Sequence, residues 1–392
     1  MRILVLNADY PRFLAWLYRR EAGLENAAYA AQMAARNNSL FGVADFYSRN
    51  FAAEGHVAAE IHVNNSWLQS AWAREHGLAV EQAAALPRER RVLPAWIERA
   101  VTPFKPMLRP LARQVGLSPK LDSVSEKILL AQIEEFRPDL IINQDVFHVD
   151  TRLVRTIRDM TSAIMVGQVG IQPSRGEDWT TYHLMLSQLP SIVQYFRGAG
   201  VRSEVCHLAF EPSIVDQLPP DEAADIDVSF VGTVSVDHQQ RIALLEAVAQ
   251  RYELKLFGNR PSSLPANSPL HRCFEDEVWG VDMYRVLRRS RITLNSHIDF
   301  VGGEAGNMRL FEATGVGAFL LTDFKDNLHT LFEPDREVAA WRSIEDCLVS
   351  IERYSGDNRA RTAIAKAGQA KTLSVHTYRQ RVQQILGYVA RI

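Results

Sequence analysis

Two sets of short apolar runs, separated by helical stretches, constrain the fold more than any other feature of the chain. The first set begins with Arg2–Asn7 (RILVLN). It continues with Ala58–Val63, Asp139–Asn143, Ala163–Val169 and Ser191–Gln194, and helices are predicted at Ser123–Phe136 and Asp150–Arg158. Continuous apolar runs of this length are typical of strands buried in a parallel sheet. The alternation predicts a doubly wound α/β sheet that binds ligands at the carboxyl ends of its strands.

The second set begins at Asp227–Gly232. It predicts strands at Glu253–Phe257, Arg291–Asn295, Ala318–Thr322 and Val338–Trp341, helices at His238–Arg251, Val281–Arg289 and Asn307–Thr314, and three further helices at the end. Phe210–Ile226, with three prolines and several acids, is typical of an interdomain linker. We therefore predict a Rossmann-like domain over 1–210, a second Rossmann-like domain over 211–375, and a helix over 376–392 that packs back towards the first domain. The cleft between the domains is the expected active site.

Composition excludes several classes of protein. The net charge is −2, which gives no reason to expect nucleic acid as a partner. The three cysteines lie far apart without a CxxC spacing, so neither a disulfide framework nor a zinc site is expected, and a reducing cytoplasm fits. No segment approaches the roughly 18–20 apolar residues of a membrane span. We expect a soluble cytoplasmic protein, with at most peripheral contact at the inner face of the cytoplasmic membrane.

The segment Val301–Leu320 (VGGEAGNMRLFEATGVGAFL) carries the clearest chemical signal. A glycine-rich loop leads into a helix that begins near Asn307, which is a good N-cap residue. Free amides at a helix start attract phosphate. Arg309 in the first turn opposes the helix dipole, and an anion bound there would explain it. The segment therefore predicts a phosphate site.

Two glutamates flank this helix start. Glu304 lies in the loop and Glu312 lies inside the helix, so both can face one ligand. A carboxylate suits the paired hydroxyls of a ribose or a sugar. The alternative is that Glu312 pairs within the fold and Glu304 is a solvated loop acid.

The order of strand, glycine-rich loop, glutamate-bearing helix, Gly315, Gly317 and apolar strand resembles the donor-binding core of retaining family-four glycosyltransferases of the GT-B type. The resemblance is closer to the bacterial glycosyltransferases known as spore-maturation-protein-like. It is carried by NMRLFEATGVGAFLLTD (Asn307–Asp323), with Tyr182–Pro212 upstream and His376–Leu386 downstream. Where family four has E-G-F-G, this chain has E-A-G-N at Glu304–Asn307.

The resemblance implies two Rossmann-like domains facing across a cleft, the first binding the acceptor and the second a UDP-, GDP- or similar nucleotide sugar as donor, and no cofactor. Glu312 would bind the ribose, and Glu304 the donor sugar. Gln168 stands where such enzymes often carry a histidine towards that sugar. The remaining residues implied in donor binding are Gly306, Asn307, Met308 and Arg309 at the diphosphate, Gly232 and Thr233 near the phosphates, Gly258, Asn259 and Arg260 with a second positive charge, and Trp279 at the base.

Catalysis is expected to need no metal. The only D-x-D, Asp225–Asp227, lies at the linker and is interpreted as structural. Helix amides and an arginine can stabilise the leaving diphosphate instead. Retention of configuration is favoured. If the reaction inverts, a general base is needed, and Asp9, Asp145 and His148 follow predicted strands, although helix caps or turn residues are the alternative interpretation.

A basic segment suggests where the acceptor lies. Pro87–Lys120 holds eight basic and two acidic residues among apolar ones, which fits an anionic bilayer and a lipid-linked acceptor. An ordinary basic insertion is the alternative, and nucleic acid is not expected. The predicted function is hexosyl transfer to a saccharide or lipid-linked acceptor in bacterial surface polysaccharide synthesis. A nucleotide-sugar epimerase and a non-catalytic nucleotide-sugar-binding protein remain alternatives.

Overall fold

A computed structural model describes residues 1–78, 120–174, 176–220, 222–235, 238–261, 264–298 and 303–392 of the chain. These residues form two compact units. The first unit contains the described residues up to Cys206 together with Val382–Ile392, and the second contains those of His207–Arg381. None of the helices in the described ranges has the length and apolar character needed to span a membrane.

The first unit is built on a six-stranded, fully parallel sheet. Its strands are β1 (Arg2–Asn7), β2 (Val57–His62), β3 (Leu140–Asn143), β4 (Ile164–Gln168), β5 (Leu184–Ser187) and β6 (Ser203–Val205), in the order β2-β1-β3-β4-β5-β6. Its described helices are α1 (Pro11–Arg20), α2 (Tyr29–Asn38), α3 (Phe46–Ala53), α4 (Ser66–Glu75), α5 (Ser123–Phe136), α6 (Thr151–Met160) and α7 (Pro190–Gly198). The apolar side chains of β1 and β3 are buried, as the predicted central strands require.

The second unit repeats this plan with another six-stranded parallel sheet. Its strands are β7 (Ile226–Val231), β8 (Leu254–Phe257), β9 (Phe274–Glu275), β10 (Ser290–Asn295), β11 (Leu320–Asp323) and β12 (Ala339–Trp341), in the order β12-β11-β10-β7-β8-β9. Its described helices are α8 (Gln239–Arg251), α9 (Gly280–Arg289), α10 (Met308–Gly315), α11 (Leu328–Leu331), α12 (Ile344–Gly356) and α13 (Asn358–Val375), and α14 (Tyr378–Val389) begins in this unit.

One predicted strand is wrong. Ser191–Gln194 lies inside helix α7, and the strand of this region is the preceding β5. Pro190 occupies the first turn of α7, where its fixed φ favours a helix start. Ile192, Val193 and Phe196 are buried, at spacings that place them on one helix face. A short apolar run alone therefore did not distinguish helix from strand.

The predicted linker belongs to the second unit. Phe210 is buried, its amide donates to the carbonyl of His376 at 2.8 Å, and its carbonyl accepts from the amide of Tyr378 at 3.2 Å. A 3-10 helix follows at Pro212–Gln217.

Helix α14 divides between the two units. Its residues from Val382 onward belong to the first unit, where the side chains of Gln384 and Tyr388 donate to the carbonyl of Val205 at 3.2 and 3.0 Å.

Candidate functional site

The carboxyl ends of the strands in the second sheet form a candidate ligand site. From β7 the chain moves outward to β8 and β9, and then returns to the other side of β7 to form β10, β11 and β12. The direction of winding therefore reverses between β7 and β10. In an open parallel sheet, the crevice at such a reversal is the usual place for a ligand.

The turns after β7 and β8 are locked together. A Cβ atom on Gly258 would lie 2.0 Å from the carbonyl oxygen of Gly232, so only glycine permits this close approach. The side chain of Asn259 accepts from the amide of Val234 at 3.1 Å and donates to its carbonyl at 2.8 Å. The structure thus brings Gly232, Gly258 and Asn259 together, with Thr233 exposed on the same turn.

Arg260 does not join that cluster. Its side chain is exposed, and the guanidinium lies 5.4 Å from the ring centre of Phe274.

Arg241 is a site residue that sequence reasoning missed. It lies in the first turn of α8 and is buried, and its guanidinium donates to the carbonyls of Thr233 and Ser296 at 2.7 Å each. These carbonyls belong to the turns after β7 and β10, so one buried cation bridges the two sides of the reversal. An arginine that opposes the helix dipole directly after a turn was the available signal.

The start of α10 is held on the end of β10. Asn307 is the N-cap residue as predicted, but its side chain caps no amide of the helix. Instead it donates to the side-chain oxygen of Asn295 at 2.8 Å and accepts from its nitrogen at 3.2 Å. Within the part of the chain that the structure describes, the amides of Met308 and Arg309 donate to no acceptor. Both amides are therefore available to a ligand.

The loop before α10 is fixed from two further directions. Ala305 exchanges two backbone hydrogen bonds with the side chain of Asn327. The amide of Gly306 donates to Nε2 of His297 at 3.3 Å. The Gly306 amide is consequently used by the protein, which removes it from the predicted phosphate-binding amides.

His297 is paired in turn with Asp323. Its Nδ1 lies 2.7 Å from Oδ1 of Asp323, whose other oxygen lies 3.3 Å from the ammonium of Lys325. Burial acts to raise the pKa of Asp323, but the hydrogen bond from His297 and the charge of Lys325 lower it overall. These residues lie 26 positions apart in sequence, so no local pattern announced the pair.

Glu312 and Arg309 form an ion pair inside α10. Nη1 of Arg309 lies 2.8 Å from Oε2 of Glu312, and the side chains are 13% and 6% exposed. Burial raises the pKa of Glu312, and the charge of Arg309 opposes that rise. Nε of Arg309 is buried and has no hydrogen-bond partner among the described residues. The two predicted ligand-binding side chains, those of Arg309 and Glu312, are therefore in contact and form an ion pair with each other.

Two other predicted residues are only partly exposed. Glu304 is half-buried in the loop before α10, and Trp279 is half-buried at the N-cap of α9.

A second group of predicted residues meets at the carboxyl edge of the first sheet. Asp145, two residues after β3, accepts from Nδ1 of His148, and it accepts from the amides of Phe147 and His148 at 3.3 Å each. Asp145 is thus both a turn residue and the partner that orients an imidazole. The side chain of His148 is 22% exposed. Gln168, at the end of the neighbouring strand β4, accepts from Gln144 at 2.8 Å.

Asp9 lies in a closed polar network. Its carboxylate is 2.7 Å from Nη2 of Arg36 and 3.2 Å from Nδ1 of His62, and all three side chains are buried. Burial favours the neutral acid, but Arg36 and His62 lower the pKa of Asp9 strongly. This burial and these partners favour the structural interpretation of Asp9 over that of a general base.

The D-x-D carboxylates also have structural partners. Asp225 pairs with Arg289, and Asp227 pairs with Arg291 at 2.9 Å. Among the described residues, no group of three or more potential ligands could hold a metal ion.

The fold of the chain is similar to that of several solved proteins. A glycosyltransferase from Rickettsia africae is 9% identical with a TM-score of 0.59, and the match covers 100% of this chain and 98% of that one. Sucrose-phosphate synthase from Thermosynechococcus elongatus is 12% identical with a TM-score of 0.55, over 100% and 98%. Anabaena HepE, solved with UDP, is 13% identical with a TM-score of 0.56, over 100% of both chains. The two parallel sheets are thus the two Rossmann-like domains of the GT-B fold, as predicted.

The second unit also carries a family signature. Residues 240–387 match the model of the family described as glycosyl transferase-like. This match and the GT-B fold both indicate a glycosyltransferase. No curated protein matches the chain.

Proposed function

We propose that the protein transfers a hexose from a nucleoside-diphosphate sugar to a saccharide or lipid-linked acceptor. The observation that carries this proposal is the start of α10. Two amides there are open, the preceding loop is fixed by His297 and Asn327, and the Arg309–Glu312 pair lies in the first turns of the helix. A preorganised helix start of this kind suits a diphosphate.

In the proposed donor complex, the amides of Met308 and Arg309 bind the diphosphate, and the arginine side chain adds positive charge. Glu312 accepts hydrogen bonds from the ribose, since a carboxylate has lone pairs beyond the one that Arg309 occupies. Trp279 flanks the base, and Glu304 contacts the donor sugar. The turn at Gly232–Thr233 lies on the phosphate side, because it ends the strand next to β10.

We propose that transfer needs no metal and retains the anomeric configuration. As the anomeric C–O bond breaks, negative charge grows on the leaving diphosphate, and the helix amides with Arg309 stabilise it. The departing phosphate oxygen takes the proton of the acceptor hydroxyl, which forms the new bond on the same face of the sugar. In this scheme Gln168 donates a hydrogen bond but moves no proton. Anabaena HepE, a solved protein of the same fold, binds UDP-glucose.

One observation favours a second chemistry. Asp145 orients His148 as a base is oriented in acid–base catalysis, and such a pair would serve inversion or the proton transfers of a nucleotide-sugar epimerase. The His148→Ala variant separates these chemistries. Retention through the leaving phosphate predicts that turnover persists, whereas an acid–base role predicts a loss of about 100-fold or more.

The proposed setting is synthesis of bacterial surface polysaccharide at the inner face of the cytoplasmic membrane. Its support is the basic composition of Pro87–Lys120, of which only Lys120 lies within the described residues.

The decisive experiment incubates the protein with a panel of nucleotide sugars, with and without acceptor extracts. Nucleotide release that depends on acceptor is expected, and NMR of the product should show the anomeric configuration of the donor. An epimerised donor without release would replace the proposal with the epimerase. A thermal shift without any turnover would refute transfer.

A further inference from the structure

His297 reaches the loop before α10 from the end of β10. Its side chain is 3% exposed, and Nε2 accepts the amide hydrogen of Gly306 at 3.3 Å. A ring nitrogen accepts only when it carries no proton. Nε2 is therefore unprotonated in this arrangement.

Asp323 fixes the other side of the imidazole. Its Oδ1 lies 2.7 Å from Nδ1, and the backbone amide of His297 donates to both carboxylate oxygens at 3.1 Å. Since the carboxylate is the acceptor, the hydrogen lies on Nδ1. Asp323 ends β11, the strand paired with β10, so the sheet itself holds the pair in register. One tautomer and one ring orientation result.

The hydrogen bond from Gly306 to His297 fixes the direction in which the Gly306 amide of the loop points. The Gly306 amide turns towards the sheet, where it is buried and satisfied, and the next two amides after the N-cap, those of Met308 and Arg309, remain open. Without the imidazole acceptor, a buried amide would lose its only described partner. Leaving a buried donor unsatisfied is costly, so the loop would move to satisfy it.

We propose that His297 is a positioning residue of the donor site, which directs the Gly306 amide inward and so aligns the open amides for the diphosphate. This inference rests on the proposed function, since it assigns the same helix start to the donor. His297 touches no substrate in this scheme, and Asp323 acts on the loop only through the imidazole.

Two substitutions test separately the two hydrogen bonds of the His297 side chain, the one to Asp323 and the one from Gly306. In His297→Asn, the shorter amide can still donate to Asp323 but reaches no acceptor position for Gly306. In His297→Gln, the carbonyl of the longer side chain reaches the place of Nε2 and can accept from Gly306. His271→Gln serves as the matched control, because His271 belongs to the same unit, is partly exposed, and its imidazole bonds to the carbonyl of Pro265.

Calorimetry with UDP and GDP, together with spectra of protein labelled with ¹⁵N at its 21 glycines, tests the proposal. His297→Asn should weaken binding about tenfold and shift the Gly306 amide signal. His297→Gln should stay within about twofold of the parent and leave that signal near its place. Melting temperatures show which variants are folded.

Each result decides. A His297→Asn variant with parental affinity and an unmoved Gly306 signal overturns the inference. If that variant does not fold, a tenfold loss in His297→Gln overturns it, and retained affinity supports it. If the parent protein binds neither nucleotide, the proposed function fails, while the Gly306 signal of the folded variants still decides whether His297 positions the loop.

Discussion

The buried pair of Arg309 and Glu312 combines two opposite demands on one helix. An arginine in the first turns opposes the helix dipole, and a buried glutamate loses its hydration. The ion pair, in which Arg309 and Glu312 approach to 2.8 Å, offsets both the unfavourable dipole interaction of the arginine and the lost hydration of the glutamate. The buried Nε of Arg309 nevertheless lacks a partner among the described residues. A bound anion would complete the hydrogen bonding of this cation, which is why the pair belongs to the donor site in our proposal.

Glu312→Ala should weaken the binding of the nucleoside diphosphate by at least about tenfold, because it removes the proposed ribose acceptor. Stability should also fall, since the arginine is left without its carboxylate. Titration calorimetry at matched folded fractions measures the first effect. Glu312→Gln is the control, because it keeps an acceptor for both Arg309 and the ribose. An unchanged dissociation constant in Glu312→Ala would remove this residue from the site.

Glu60 makes the stability of the first unit depend on pH. Burial raises the pKa of Glu60 to about 8 from an ordinary 4.5, against the opposing charge of Arg36 and the hydrogen bond from Ser48. The folded protein therefore holds a proton that the unfolded chain releases. The corresponding stability is fully present below about pH 4.5 and is lost as the pH rises through about 8.

Glu60→Gln should flatten that dependence, because the amide does not titrate. Denaturant unfolding at several pH values measures it, and the difference between parent and variant should change by the order of a few kcal/mol between pH 4.5 and 8. His62 is retained in both proteins. Its pKa is lowered mainly by burial, so its own contribution, lost as the pH falls, cancels in that difference. Parallel curves would mean that Glu60 is ionised throughout.

At the scale of elements, α10 depends on a glycine near its end. A Cβ atom on Gly315 would lie 2.3 Å from the ring of Phe210, which is buried and held to His376 and Tyr378. Helix and ring must therefore approach without a side chain between them. This contact explains a glycine in a helix, where glycine is otherwise unfavourable.

Gly315→Ala should destabilise the protein by about 1–3 kcal/mol, because it overpacks this contact. Gly387→Ala in α14 is the matched control. Nothing lies within 4 Å of its added Cβ, so it should be neutral or stabilise by up to about 1 kcal/mol. Thermal unfolding compares the two variants. Equal melting temperatures would show that Phe210 yields at little cost.

Helices and strands were predictable from the sequence where the apolar pattern within the element itself distinguished a helix from a strand. β1 and α5 have the bounds that the sequence predicts, and α10 begins one residue after its predicted start. The prediction for Ser191–Gln194 failed because a four-residue run with two adjacent apolar residues fits either a strand or a helix. The short β6 was missed for a related reason, since three residues carry no period.

The site was predictable only in part. Gly306–Glu312 could be proposed from the sequence because loop, cap and helix are adjacent in it. Arg241, His297 and Asp323 were missed because their partners come from other strands, and their pairing exists only once the sheet has formed. Which amide of the loop stays open is likewise decided by these distant partners.

At the scale of the molecule, the basic segment Pro87–Lys120 lies outside the described residues except for Lys120, and it remains a prediction from sequence. Replacing its basic residues with glutamine should reduce binding to anionic liposomes, because each lost charge near the surface removes about 1 kcal/mol of attraction. Co-sedimentation measures it. Donor hydrolysis should stay at the parental level as the control. Undiminished sedimentation would leave the segment as an ordinary insertion.

Because α14 is divided between the two units, the first unit is completed only after most of the second unit has been synthesised. Val382, Ile385 and Val389 are buried in a unit whose other described residues precede residue 207. A ribosome adding about 5–20 residues per second needs roughly 10–35 s to make the 175 residues between Cys206 and Val382 (381 − 206 = 175). Throughout that interval the nascent first unit lacks the apolar face of the last helix. It is thus begun first and completed last, and a chaperone that covers exposed apolar surface would meet it in the meantime.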